Sequence, residues 1–145
     1  MTTGPDSLEP ITRGLYDAFM RACEIRGLPV KGTQFRRTMD EQGHLWAIGR
    51  THENGVWVKV GSTVTNAKPG ESAHNYGMAF DIAFRGKTLE ECYPPKDDPR
   101  WLEVGVIGEN LGLSWGGPLG DGDRFTWDRP HFERPDWKVA AGRFA

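Results

Sequence analysis

The sequence predicts a small α+β domain, and three features carry that prediction. Apolar residues recur at helical spacing in segments bounded by capping residues, residues 78–84 alternate strictly, and Gly, Pro and Asn cut the remainder into short extended pieces. Ser7 is placed to cap a first helix running to about Arg26, on which Leu8, Ile11, Leu15, Phe19, Ala22 and Ile25 recur before Gly27 and Pro29 end it. Residues 30–37 read as extended. Thr38 and Glu41 then form a capping box, each side chain satisfying a backbone amide at the start of a second helix that ends near Gly49. Residues 50–70 read as a long loop holding a strand or hairpin around the alternating run 56–60. Within 78–84, Phe80, Ile82 and Phe84 point to one side while Ala79, Asp81 and Ala83 point to the other, so Asp81 faces away from the core. Asp98 and Pro99 fit the cap and first position of a third helix through Trp101, Leu102, Val106 and Leu111, stopped by Gly112. After a glycine-rich turn over 115–123, residues 125–132 are expected to be extended, with Pro130 marking an edge position or a bend, and a short amphipathic piece starts at Asp136.

Composition narrows the class. At 145 residues the chain suits one domain spanning 1–145, since a chain of that size buries about two thirds of its unfolded surface. With 37% apolar and 26% charged residues it has the balance of a globular chain, which excludes a disordered or membrane-inserted one. Its 18 basic and 20 acidic side chains are spread along the sequence, so no basic stripe recommends nucleic acid as a partner. The start, Met1 to Asp6, lacks the basic and apolar regions of a secretory signal, so synthesis in a cytoplasm is expected, with any action outside the cell following release by other means. Cys23 and Cys92 form no Cys-x-x-Cys pair and read as buried thiols. There are no repeats of the kind that would suggest a cell-wall-binding array.

Two clusters carry the chemistry. Ser72-Ala73-His74-Asn75-Tyr76-Gly77-Met78-Ala79-Phe80-Asp81 puts a histidine in a turn and a carboxylate on the polar side of a strand, and Asp128-Arg129-Pro130-His131-Phe132-Glu133 supplies a second histidine with a carboxylate three residues before it. A catalytic zinc site needs three protein ligands and an open position for water, a need that two histidines and an aspartate meet. An unligated carboxylate can then accept the proton of that water, and Asp128 is the candidate. Glu133 shares a strand side with His131 and can orient it, or can be a solvated edge charge. Ser72 can touch substrate or can cap its own turn. His44, in the second helix, and His52, in a polar loop, have no partner at ligand spacing and read as exposed. Trp46 and Trp101 read as core, whereas Tyr76, Trp115 and Trp127 lie beside the clusters and border the groove.

Taken together, Phe35-Arg36-Arg37-Thr38 with Glu41-Gln42, Leu45 to Thr51, Val64 to Ala67, Gly70 to Gly77, Leu113 to Gly117 and Asp128 to Glu133 form an ordered pattern over most of the chain. This pattern resembles the LAS-type zinc peptidases, which include D-Ala-D-Ala carboxypeptidases and phage L-alanyl-D-glutamate endopeptidases. The resemblance implies helices packed around a small antiparallel sheet with a zinc site in an open groove, the hedgehog/DD-peptidase-like arrangement. It assigns His74, Asp81 and His131 as Zn2+ ligands, Asp128 as the base and Arg37 as the cation beside the scissile carbonyl, with the adjacent Arg36 as the alternative for that role. A fixed guanidinium suits that position because a tetrahedral intermediate carries an oxyanion; the plainer use of either arginine is a surface ion pair.

The implied substrate is a peptidoglycan stem peptide cut at the L-Ala to D-Glu bond by a monomeric, phage-type endolysin. The Gly-Arg-Thr and Thr-Asn-Ala segments look like that branch. A D-Ala-D-Ala carboxypeptidase is the alternative within the same chemistry. A non-catalytic zinc-binding module is the alternative outside it, and Asp128 argues against that one, since a binding module has no use for an unligated carboxylate beside the metal.

Overall fold

The computed structural model describes residues 4–118 and 128–142. At its centre lies β4 (Ala79–Phe84), an interior strand of a four-stranded antiparallel sheet in the order β1-β4-β6-β5. On one side it pairs with β1 (Val30–Gln34) and on the other with β6 (His131–Glu133), which in turn pairs with β5 (Ser114–Trp115). The alternation legible in 78–84 works as expected: Phe80, Ile82 and Phe84 are fully buried in the main core, and Asp81 is turned to the opposite face.

Two helices cover the apolar face. α1 (Pro10–Ile25) and α4 (Pro99–Asn110) bring Tyr16, Phe19, Cys23, Val104 and Ile107 onto Phe80, Phe84 and Phe132. The aromatic rings interlock, Phe19 lying 4.8 Å from Phe132 and Tyr16 meeting Phe80 edge-on at 4.9 Å. α4 approaches this layer closely because it carries glycine where the rings press. A Cβ on Gly105 would stand 2.3 Å from the Trp115 ring, and one on Gly108 would stand 2.4 Å from Phe132. On the other face a smaller cluster of Ala73, Met78, Ala79 and Trp137 joins the turn before β4 to α5 (Trp137–Ala140).

The remaining elements are α2 (Met39–Ala47), the hairpin β2 (Arg50–Glu53) and β3 (Val56–Lys59), and α3 (Leu89–Cys92). α2 begins with the expected Thr38–Glu41 capping box, and α4 with the expected Asp98 cap and Pro99. α3, capped by Thr88, is a short helix that the spacing did not announce. No helix among the described residues is long and apolar enough to cross a membrane.

Several expectations are corrected. The cap of α1 is Glu9, whose carboxylate accepts from the backbone amides of Ile11 and Thr12, with Pro10 in the first turn. Ser7 lies in a preceding 3-10 turn, Gly4–Ser7, and its hydroxyl donates to the Gly4 carbonyl. The buried face of α1 is Thr12, Tyr16, Phe19 and Cys23, whereas Ile11 and Ile25 are 60% and 74% exposed. Thr12 can occupy the core because its hydroxyl donates to the Glu9 carboxylate. On α4, Leu102 is exposed and Val106 half-buried, and Val104 and Ile107 fill the core instead.

Trp46 is half-buried against the hairpin, while Trp115 is 2% exposed and belongs to the core. Cys92 is half-buried; Cys23 is buried as expected. Pro130 stands in the turn before β6 and marks a bend, since β6 is an interior strand, and its carbonyl accepts from the Ile82 amide at 3.0 Å. Residues 125–127 of the expected extended segment, Trp127 among them, lie outside the described residues.

Alanine is the better helix former, yet Gly105→Ala is expected to destabilise the fold by about 1–3 kcal/mol through overpacking against Trp115. Urea unfolding followed by tryptophan fluorescence measures this.

Candidate metal centre and cleft

The antiparallel register sets Asp81 directly across from His131. Side chains opposite one another on neighbouring strands share a face, so their polar ends meet on the side away from the aromatic core. His74 arrives from a 3-10 turn, Ala73–Tyr76, which Ser72 caps by accepting from the His74 amide and which Gly77 ends with a left-handed φ of 69°. A Cβ on Gly77 would crowd the Ser7 carbonyl and the Glu9 amide at 2.9 Å each, so glycine serves both the turn and the close approach.

The three donor atoms converge. His74 Nε2 lies 3.2 Å and His131 Nδ1 3.0 Å from Asp81 Oδ1, and all three lie within 4.8 Å of one another. Four ligands about 2 Å from one tetrahedral ion stand roughly 3–3.5 Å apart, so the two distances to Asp81 suit a zinc-sized cation. The far nitrogen of each ring is also engaged. His74 Nδ1 donates to the Phe35 carbonyl at 2.7 Å, and His131 Nε2 donates to Glu133 Oε1 at 2.6 Å. A carbonyl only accepts, so His74 carries its proton on Nδ1 and offers the Nε2 lone pair to the site; Glu133 imposes the reverse tautomer on His131.

The electrostatics agree. Burial opposes charge on the His131 ring, but hydrogen bonds to Asp81 and Glu133 outweigh it and push its pKa up. Burial likewise raises the Asp81 carboxyl, yet the two histidines hold it well below the usual carboxylate range. The centre therefore favours positive charge between its donors, a charge that a divalent cation supplies by displacing protons.

Asp128 and Arg37 line the same cleft of about 560 Å³, together with Leu45, Thr65, Asn66 and Trp137. Asp128 is anchored by its own backbone, its amide donating to Gly116 and its carbonyl accepting from His131. Burial pushes its carboxyl up, and Asp81 adds to the shift against the pull of the histidines and Arg37. Arg37 donates to Gln42 Oε1 at 2.9 Å, and Gln42, wholly buried, donates onward to the Ala67 carbonyl at 2.8 Å. Arg36 points elsewhere, its guanidinium donating to the Ser7 carbonyl at 2.8 Å. Of the two arginines, only Arg37 faces the cleft.

The other expected neighbours divide. Ser72 lines the cleft while capping its turn. Tyr76 supports the turn, donating to the Gly70 carbonyl at 2.8 Å and stacking on Trp137. Trp115 donates its indole N–H to the Arg129 carbonyl from within the core. His44 and His52 are exposed as expected, although His52 belongs to β2 and stacks on Trp57. Gln42 was visible only as part of a motif, and its place between Arg37 and Ala67 depends on contacts between distant segments.

Two imidazoles and a carboxylate that could hold a metal ion share an open cleft with a further carboxylate and a guanidinium. A family model described as D-alanyl-D-alanine carboxypeptidase matches residues 65–134. The peptidoglycan L-alanyl-D-glutamate endopeptidase CwlK of Bacillus subtilis (strain 168) is 38% identical over 135 residues, covering 89% of this chain and 74% of CwlK. Among solved structures, the LdcB LD-carboxypeptidase superposes with a TM-score of 0.62 at 17% identity over 93% of this chain, which spans only 62% of LdcB. The E175A mutant of the D,D-pentapeptidase VanY, in complex with Zn(II), gives 0.58 at 18% identity over 93% of this chain and 76% of VanY. The chain belongs to the LAS-type peptidases, the family of D-alanyl-D-alanine carboxypeptidases and their endopeptidase relatives.

Glu133→Gln is expected to weaken metal binding about 10- to 100-fold by loosening the orientation of His131. Competition against a chromogenic chelator reads this directly.

Proposed function

We propose that the protein is a zinc peptidase that hydrolyses the L-Ala to D-Glu bond of peptidoglycan stem peptides, with His74, Asp81 and His131 holding the ion. The observation that carries this reading is the convergence of those three donors in one cleft with Asp128 and Arg37. The identity to CwlK, whose name states that bond, favours the endopeptidase over the carboxypeptidase.

When bound, zinc lowers the pKa of a water to about 7 and polarises the carbonyl it faces. The rest falls to the chain's own residues. Asp128 accepts the proton released as oxygen attacks the carbonyl carbon, then delivers it to the departing D-Glu amine, so the C–N bond breaks without expelling a free amide anion. Its raised pKa suits this exchange, because a carboxylate much more acidic than the water would be a poor acceptor. Arg37, held by Gln42, donates to the oxyanion that forms on the former carbonyl oxygen. A guanidinium stays charged even when burial lowers its pKa, as it does here.

The proposal extends to residues 1–145 as a single, monomeric catalytic domain acting on the cell wall as a phage-type endolysin. Support for the endolysin role comes from the Gly49-Arg50-Thr51 and Thr65-Asn66-Ala67 segments, which the structure joins where Arg50 donates to the Thr65 carbonyl.

Digestion of purified peptidoglycan, with newly exposed termini identified by mass spectrometry, is expected to yield L-Ala carboxyl and D-Glu amino ends. Release of D-Ala alone would overturn the endopeptidase reading. Asp128→Asn is expected to lower turnover by about 10²- to 10⁴-fold while zinc content stays near that of the unaltered protein. Undiminished turnover would remove Asp128 from the mechanism.

A further inference from the structure

The hairpin β2–β3 stands apart from the main sheet and keeps an apolar surface in solvent. Trp57 is 47% exposed on one face of it, and Val56 and Val58, on the opposite face, are 61% and 42% exposed. A lone hairpin is only marginally stable in water, and apolar side chains gathered at a surface mark a place of binding. Cross-strand pairing puts Arg50, His52, Trp57 and Lys59 on one face. There the Trp57 indole meets Trp46 edge-on at 5.0 Å, with His52 stacked on it at 5.1 Å. The Arg50 guanidinium lies 4.4 Å over the Trp46 ring and donates to the carbonyls of Trp46 and Thr65. Thr65 is part of the cleft wall, so the aromatic platform and the cleft rim are one continuous structure.

We propose that this hairpin is a subsite for the glycan strand from which the stem peptide hangs, an inference that rests on the L-Ala to D-Glu reading above. L-Ala is the first residue of the stem and is joined to its amino sugar through a three-carbon lactyl group. Two links of about 3.5 Å each therefore separate the scissile carbonyl from the sugar, and an enzyme cutting there meets the glycan at the rim of its cleft. A pyranose ring presents a flat patch of C–H bonds with hydroxyl and acetamido groups around its edge. The face of an indole, negative in its quadrupole, accepts the C–H patch. Lys59, on the same face as Trp57, would offer its ammonium to the sugar's edge. A bond at the far end of the stem lies several residues from the sugar and would leave this surface without a ligand.

The test compares kcat/KM on a disaccharide-linked stem peptide with that on the same peptide lacking sugar, for the unaltered protein, Trp57→Leu and Trp57→Phe. Leucine keeps an apolar contact with Trp46 and removes the flat ring, while phenylalanine retains a ring. The unaltered protein is expected to prefer the glycan-linked substrate. Trp57→Leu should lower the ratio of the two values by about tenfold, with Trp57→Phe keeping most of the preference. Equal losses on both substrates, or a ratio untouched by leucine, would overturn the glycan subsite while the L-Ala product left the function reading standing. D-Ala release by the unaltered protein would overturn both.

Discussion

The cleft depends on a register. β4 carries Phe80, Ile82 and Phe84 on one face and Asp81 on the other, and β6 carries Phe132 between His131 and Glu133. A slip of one residue in either strand would turn a carboxylate or an imidazole into the aromatic layer and a phenylalanine into water. The packing of Phe19, Phe80 and Phe132 thus holds the polar side in place as well as the apolar one. Hydrophobic burial, which has no directional preference of its own, acquires one through the two-residue period of the strand.

Around this centre three carboxylates have different neighbours. Asp81 lies between two imidazoles and is held ionised. Glu133 accepts from the outer nitrogen of His131. Asp128, half-buried and near Asp81, takes up a proton more readily than an ordinary aspartate. The segments that place them are tied by buried amides. Asn75 accepts from the Gly70 and Ser72 amides and donates to the Arg37 carbonyl, while Gln42 bridges Arg37 to Ala67. Such groups are costly to bury unpaired, so their bonding restricts how the loop 64–75 can lie.

How much of this was legible follows the range of the interactions. Caps and the alternation of 79–84 are local, and they stood as read: Thr38 with Glu41, Asp98 with Pro99, and Asp81 turned from the core. The face of α1 was misread because aliphatic residues were followed, while Thr12, whose hydroxyl donates to the cap Glu9, and Tyr16, whose ring packs on Phe35 and Phe80 from other segments, were passed over. Trp46 and Trp115 exchanged places because sequence neighbours do not reveal that Gly105 clears a seat for one indole. The order β1-β4-β6-β5 was not legible, since strands of two and three residues carry no period. Donor types were visible in His74, Asp81, Asp128 and His131; their meeting point depended on pairing across fifty residues of chain, Asp81 with His131.

The clamping of both imidazoles has a thermodynamic consequence. Each ring is gripped at its outer nitrogen, His74 by a backbone carbonyl and His131 by Glu133, while the sheet and its aromatic core close over contacts that involve no ion. The conformational entropy of the donors is lost when the chain folds, and little remains to be lost when a cation arrives. The donors are thus ordered by contacts of the chain itself, unlike those of a zinc finger, which gain their order from the ion. A cation held there would raise the melting temperature by mass action, in proportion to the logarithm of free metal over the dissociation constant.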